Sequence, residues 1–295
     1  MDYSKSIKSG KLQEPIRAVI YGKDGTGKTD LASQAPDVIF ICAEQGTAQY
    51  DVNRFPEPKT MQEVRDMISW LNTGDHKHKT LAIDSIDWLE PLIHKEVELE
   101  QGKEISKIGF NKGYESALSK TRDFINSLPK NMNVLAISHS RIKTFNDPGM
   151  GSGYDRYQLS QRDDTANVWR QWASEVLFLD YEVYKTDSED RFAVGEGKRV
   201  MYTEERPSHQ AKNRHNLPFR LSLDKGKGWK TLTDAMAAGG ASPEVLLKEI
   251  AELLPVVPDA AKRKATEEYV KAQSNNLVAL TELKNKLVAI KNGGI

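Results

Sequence analysis

One stretch near the start of the chain, RAVIYGKDGTGKTDLASQ over 17–34, restricts the fold more than any other. Gly22-Lys23-Asp24-Gly25-Thr26-Gly27-Lys28-Thr29 satisfies G-x-x-x-x-G-K-[ST] without adjustment. Such a loop needs a buried strand to deliver it and a helix to leave it. Its glycines let backbone N–H groups turn inward around a phosphate. RAVIY supplies the strand, and 28–34 opens the helix. In this arrangement Lys28 neutralises phosphate oxygens and Thr29 offers its hydroxyl to Mg²⁺. A glycine turn with an incidental lysine would not require either flanking element.

Four more short apolar runs follow: 38–43 (VIFICA), 80–83 (TLAI), 134–138 (VLAIS) and 175–179 (EVLFL). Nearly continuous apolar runs of four to six residues are how strands buried on both faces read. Helical patterns at 28–34, 60–71 and 114–128 alternate with them, which predicts an α/β fold with a mostly parallel central sheet flanked by helices. After Leu179 the pattern turns polar and alternating. Segments 183–203 and 216–223, with turns at Gly195 and Gly197, read as an antiparallel hairpin extension. A helical C-terminal appendage begins with SPEVLLKEIAELL, and 259–290 is helical in composition. The divisions are an arm at 1–15, a core at 16–238 and a helical region at 242–295, joined through AAGGAS near 238–242.

Composition limits the function classes. The 42 Lys and Arg balance 42 Asp and Glu, so bulk basicity is not what would hold a nucleic acid. A single cysteine, Cys42, excludes a disulfide framework within one chain. No run approaches 18 apolar residues and 1–15 has no hydrophobic signal core, so a soluble cytoplasmic protein without membrane association is expected.

A phosphate loop of this kind requires a carboxylate on a neighbouring strand to hold the water shell of Mg²⁺. Asp84, closing the run LAID, is placed for that; the alternative is an Asp capping a strand-to-helix turn. Asp87 reads as a carboxylate in the first turn of a helix. Glu44 follows the second strand, at the edge that borders the ligand crevice of an open α/β sheet. It could orient and deprotonate an attacking water, or be a solvated loop residue.

The order of these elements resembles the RecA-like recombinase core, over roughly residues 15–225. It resembles more closely the AAA-type phage nucleotide-binding proteins that act as single-strand-annealing recombinases. The resemblance implies a RecA-like P-loop ATPase core that binds ATP and Mg²⁺ at protomer interfaces of a homo-oligomer, ring or filament. It implies single-stranded DNA as partner, with a single-strand-binding or replication protein as a further one, in the cytoplasm of a phage-infected bacterium. Glu44 falls where that family carries its water-activating Glu, and Asp84 at its Mg²⁺-side Asp. His139, ending VLAISH, falls at the residue that senses the γ-phosphate and couples it to DNA; RecA proper has Gln there. The segment AKNRHNLPF matches one whose two basic residues reach a neighbour's γ-phosphate, making Lys212 and Arg214 candidate trans-acting fingers.

Two tracts fall at the family's DNA-contacting loops. Residues 141–165 read as a long glycine-rich loop in which Tyr154 and Tyr157 could stack on bases and Arg141, Lys143, Arg156 and Arg162 could meet phosphates. Residues 101–113 offer Lys103, Lys107, Phe110 and Lys112. Residues 197–230 hold nine Lys and Arg against three acids, a net of +6, so neutrality overall conceals local basicity. Flexible surface loops and a solvated basic face are the alternatives for these tracts. For the whole chain, the alternatives are a P-loop switch acting on a protein partner and a nucleotide or small-molecule kinase. The base assignment for Glu44 predicts that Glu44→Gln retains bound ATP without hydrolysing it; unchanged turnover in a single-turnover assay would remove that role.

Overall fold

The structure is a computed structural model, and it describes residues 7, 14–42, 45–149, 151–183, 195, 197–238, 243–274 and 276–291. Most of the 1–15 arm, Glu44, residues 239–242 of the expected linker, and most of 184–196 lie outside the described residues.

The sheet is built from β1 (Arg17–Gly22), β2 (Val38–Cys42), β3 (Asn53–Arg54), β4 (Thr80–Asp84), β5 (Asn133–Phe145), β6 (Tyr154–Leu159), β7 (Glu175–Tyr181), β8 (Arg199–Tyr202) and β9 (Arg220–Leu223). Its order is β3-β2-β4-β5-β1-β7-β8-β9, with β6 paired to β5 off this path. The strands from β3 to β7 along that path run parallel, and β8 and β9 extend the edge antiparallel. β1 therefore lies inside the sheet, paired on both edges.

The short apolar runs form strands because both faces are covered. The pleat sends Val19 and Tyr21 into one core and Ala18 and Ile20 into another. The first core is closed by helices α2 (Met61–Thr73), α3 (Ile86–Gln101), α4 (Lys112–Ser127) and α5 (Asp163–Trp172). The second lies under α1 (Lys28–Ser33) and α6 (Gly228–Ala237). Thr60 caps α2 by accepting from Glu63 N, while the Glu63 carboxylate accepts from Lys59 N, so both groups at the helix start are satisfied. Helices α7 (Pro243–Leu253), α8 (Ala260–Ala272) and α9 (Leu277–Lys291) follow. A third cluster, including Leu246, Ile250, Leu280 and Leu287, joins α7 to α9.

The structure corrects one sequence expectation and refines two others. The tract 141–165 is not a long loop. β5 runs on to Phe145, turns back as β6 with Tyr154 opposite Phe145, and α5 starts at Asp163. Polar alternation such as RIKTF, on strand ends with solvent on both sides, lacks the apolar signature that marks the inner strands. Of the expected strand 183–203, the observed part is β8, at 199–202. The C-terminal helical stretch is broken between α8 and α9. Helix α3 did not stand out in the sequence because Pro91 lies inside it, although Ile86, Leu89, Ile93 and Val97 keep helical spacing and are buried. Among the described residues no helix is long and apolar enough to cross a membrane.

Phe124, 1% exposed and edge-on to Trp169 at 6.4 Å, is central to the first core. Phe124→Ala should lower unfolding free energy by about 3–5 kcal/mol, measured by urea denaturation.

Candidate nucleotide site

Parallel register places the site at the carboxyl ends of β1, β4 and β5. Gly22 lies opposite His139, and Asp84 opposite both Cys42 and Ile137. A Cβ on Gly22 would sit 2.1 Å from the Leu179 carbonyl oxygen on β7, so only glycine lets the loop leave the sheet here. Gly27, at φ 94°, precedes α1.

Within the loop, Thr26 Oγ1 donates to the Lys23 carbonyl at 2.8 Å. Lys28 is 8% exposed, and its ammonium donates to the carbonyls of Gly22 and Lys23 at 2.9 Å each. Those bonds curl the loop around the lysine. Thr29 Oγ1 donates to Asp84 Oδ2 at 2.8 Å, joining loop and β4 across the sheet. Asp84 is 7% exposed. A cavity of about 460 Å³ opens beside the loop, lined by Lys28, Thr29, Asp30, Tyr50, Arg199 and Lys225 among others.

These residues fit a Mg²⁺–nucleoside triphosphate. The donor set is hard oxygen, a hydroxyl and a carboxylate 2.8 Å apart, which suits a cation that keeps waters and phosphate oxygens as its other ligands. Among the described residues no group of three or more His, Cys, Asp or Glu is placed to hold a metal, so a cation here would depend on the phosphates. Lys28 and the loop amides would take the phosphates, and Thr29 and Asp84 the metal. Bound Mg²⁺ supplies neutralisation of the phosphate charge.

His139 closes the gap between β5 and the loop: its Nδ1 lies 3.0 Å from Asp24 Oδ1. Its backbone N–H donates to Asp87 Oδ2 at 2.8 Å. Asp87 stands in the first turn of α3, as the sequence suggests, but it does more than cap that helix. It also accepts from Gln161 Nε2 at 2.7 Å and from Ser160 Oγ, the residues just after β6. Burial pushes the Asp87 carboxyl above its ordinary range, against the pull of the His139 N–H.

Residues at the end of β7 also enclose the loop. Lys23 pairs with Asp180 at 3.0 Å and lies 4.8 Å over the Tyr157 ring. Burial pulls the Lys23 ammonium down, but Tyr157 and Asp180 together outweigh it and hold it above the usual lysine value. Tyr181 Oη donates to the Gly25 carbonyl at 2.7 Å. Asp180, Tyr181, Tyr50 and Arg199 are site residues that sequence reasoning missed. For Asp180 the signal was present, since EVLFLD is an apolar strand ending in a carboxylate, just as LAID is.

The remaining predicted residues lie elsewhere. β2 ends at Cys42, and Glu44 lies outside the described residues. Lys212 pairs through its backbone with Val176, whose partner Val19 is three residues before Gly22, about 10 Å back along the sheet. Its ammonium donates to the carbonyls of Arg170 and Ala173, at 2.8 and 2.6 Å, around the end of α5. Burial, with Arg214 and Arg170 nearby, holds that ammonium below its usual value. Arg214 is exposed, and its backbone N–H donates to the fully buried Glu175. The backbones of both lie beside the start of β7, at the end of the sheet away from the P-loop. Of the expected DNA contacts, Arg156 is 4% exposed and paired with Glu205, and Tyr157 stacks on Phe178 at 5.1 Å, so both belong to the interior. Arg141 and Lys143 share Asp163, and Arg162 lies 4.0 Å over Tyr114. Phe110 is 96% exposed, at φ 54°.

The parallel sheet, the glycine cradle and the Thr29–Asp84 pair define a P-loop ATPase core. A family profile described as an AAA domain matches residues 14–215, more than half of the chain, and the chain belongs to that family. A comparison with curated proteins finds no match.

Lys28→Ala should abolish ATP binding in a fluorescent-nucleotide titration while circular dichroism stays unchanged. Asp84→Asn should keep metal-free binding and lose the tightening by Mg²⁺. Normal binding by the first variant would exclude the loop as the phosphate site.

Proposed function

We propose that the protein is an ATP-dependent, single-stranded-DNA-binding recombinase of the RecA-like kind, promoting annealing or strand pairing of phage DNA. The observation that carries this reading is the course of β5. It is one continuous strand of 13 residues, paired with β1 from Val134 to His139, where it draws level with the first residue of the P-loop, and projecting with β6 as a hairpin at its end. His139 stands at the transition, within hydrogen-bond distance of the loop residue Asp24. A change at the phosphates therefore has a direct backbone route to the hairpin.

In this reading Lys28 and the loop amides hold the phosphates, Thr29 and Asp84 hold Mg²⁺, and Glu44 activates the attacking water. Lys212 and Arg214 complete a neighbour's site, which makes hydrolysis depend on assembly. The distance of both from their own loop supports action in trans over action in cis. For Lys212 the role also requires release from the carbonyls at the end of α5. On the DNA side, phosphates would displace Asp163 from Arg141 and Lys143, and the exposed Phe110 ring would offer a stacking surface. Base complementarity supplies pairing, and hydrolysis serves release.

The deciding measurement is ATP hydrolysis with and without single-stranded DNA over a range of protein concentrations. The reading expects stimulation by DNA and a specific activity that rises with concentration. A rate indifferent to both would overturn it. Mixing Arg214→Ala with Lys28→Ala protein should restore part of the activity that each lacks alone. Absence of complementation between folded variants would exclude Arg214 as a trans-acting group.

A further inference from the structure

Arg199 opens β8, opposite Tyr181 on β7 and Leu223 on β9. From there its side chain reaches back over the phosphate loop. A Cβ on Gly27 would lie 2.7 Å from Nη1 and 3.4 Å from Cζ, so the guanidinium rests against the bare glycine backbone. The same nitrogen is 3.4 Å from Asp30 Oδ2, and the Arg199 side chain is 25% exposed. Arg199 also lines the cavity of about 460 Å³ together with Lys28 and Thr29.

Several features distinguish this from an ordinary structural ion pair. A charge-assisted hydrogen bond between guanidinium and carboxylate closes to about 2.7–2.9 Å, so Asp30 at 3.4 Å holds Arg199 loosely. A guanidinium has five N–H donors in a planar fork, and among the described residues its hydrogen bond goes to Asp30 alone. Its face toward the cavity is thus rich in donors. Asp30 directly follows Thr29, so its carboxylate stands where polyphosphate charge would be repelled unless compensated. The fork geometry of arginine matches phosphate oxygens in a way that lysine does not. Tyr181, the register neighbour of Arg199, bonds the Gly25 carbonyl, so the adjacent strands β7 and β8 both contact the loop.

We propose that Arg199 is a polyphosphate contact acting in cis, donating to the phosphates of a bound nucleoside di- or triphosphate while compensating Asp30. The antiparallel extension is then one wall of the nucleotide site, in addition to whatever a neighbouring protomer supplies. This inference rests on the nucleotide-site reading of the cavity.

The test is binding of N-methylanthraniloyl ADP and ATP to the full chain, followed by fluorescence anisotropy without turnover. Arg199→Ala should weaken both nucleotides by about 10- to 100-fold, the range for losing a charged hydrogen bond. Arg199→Lys should recover only part of the loss. The same weakening should persist when Arg199→Ala is placed in an Asp30→Asn background. If Asp30→Asn abolishes the effect, Arg199 only neutralises Asp30 and the proposal is overturned. Unchanged affinity in folded Arg199→Ala protein also overturns it. Should the alanine variant not fold, Arg199→Gln, which keeps length and polarity, is read in the same way. Wild-type binding that Lys28→Ala eliminates establishes the site independently of the Arg199 result. Failure of the wild type to bind either nucleotide defeats both readings.

Discussion

β1 sits between β5 and β7 with its residues in register on both sides, and this double pairing holds the site in place. Its last residue passes so close to Leu179 that a side chain there would collide with the carbonyl. The strand is thus held in position until the residue at which the loop begins. The loop inherits that position instead of having to find it, and Lys28 can curl it around two of its own carbonyls. Thr29 then meets Asp84 across the intervening strand, which fixes the spacing between the loop and the end of β4.

A second set of contacts closes the loop from the other side. Lys23 to Asp180, Tyr181 to Gly25, and Arg199 to Gly27 and Asp30 all come from β7, β8 and the residues that end them. Two of these contacts come from β7, the last parallel strand, and the third from β8, the first antiparallel one. The antiparallel strands are thus more than an ornament on the sheet, because β8 brings Arg199 against the loop backbone and Asp30. Their basic composition, a net of +6 over 197–230, therefore has two destinations. Arg199 and Lys225 border the nucleotide cavity, whereas Lys212 and Arg214 lie toward the opposite end of the sheet.

The inner half of the fold was legible because burial on both faces leaves an unmistakable pattern. RAVIY, VIFIC, TLAID and VLAIS are strands whose apolar content the two cores demand. The P-loop and Asp84 were legible because their chemistry requires particular residue types at particular spacings. What could not be read was whatever depends on a distant partner. The sequence gives no sign that Arg156 is buried against Glu205, or that Asp87 gathers donors from both 138–139 and 160–161. The hairpin went unread for a related reason. Its strands are stabilised largely by each other and by pairs such as Phe145 with Tyr154, and β6 turns only Leu159 and Tyr157 toward the first core, too few to mark a pattern.

The length of β5 has a mechanical consequence. From Val134 to Ile137 it is paired on both edges, whereas from Ser140 to Phe145 its strand partner among the described residues is β6. It is a cantilever clamped at His139. Its arm of six residues beyond that point, backed near its root by the buried Leu159 and Arg156 of β6, extends about 20 Å at the usual rise per strand residue. A tilt of about 10° at the clamp would carry the tip about 3.5 Å on that arm, comparable to the rise of one strand residue. Displacements too small to disturb the buried sheet would thus emerge at the tip large enough to make or break a contact.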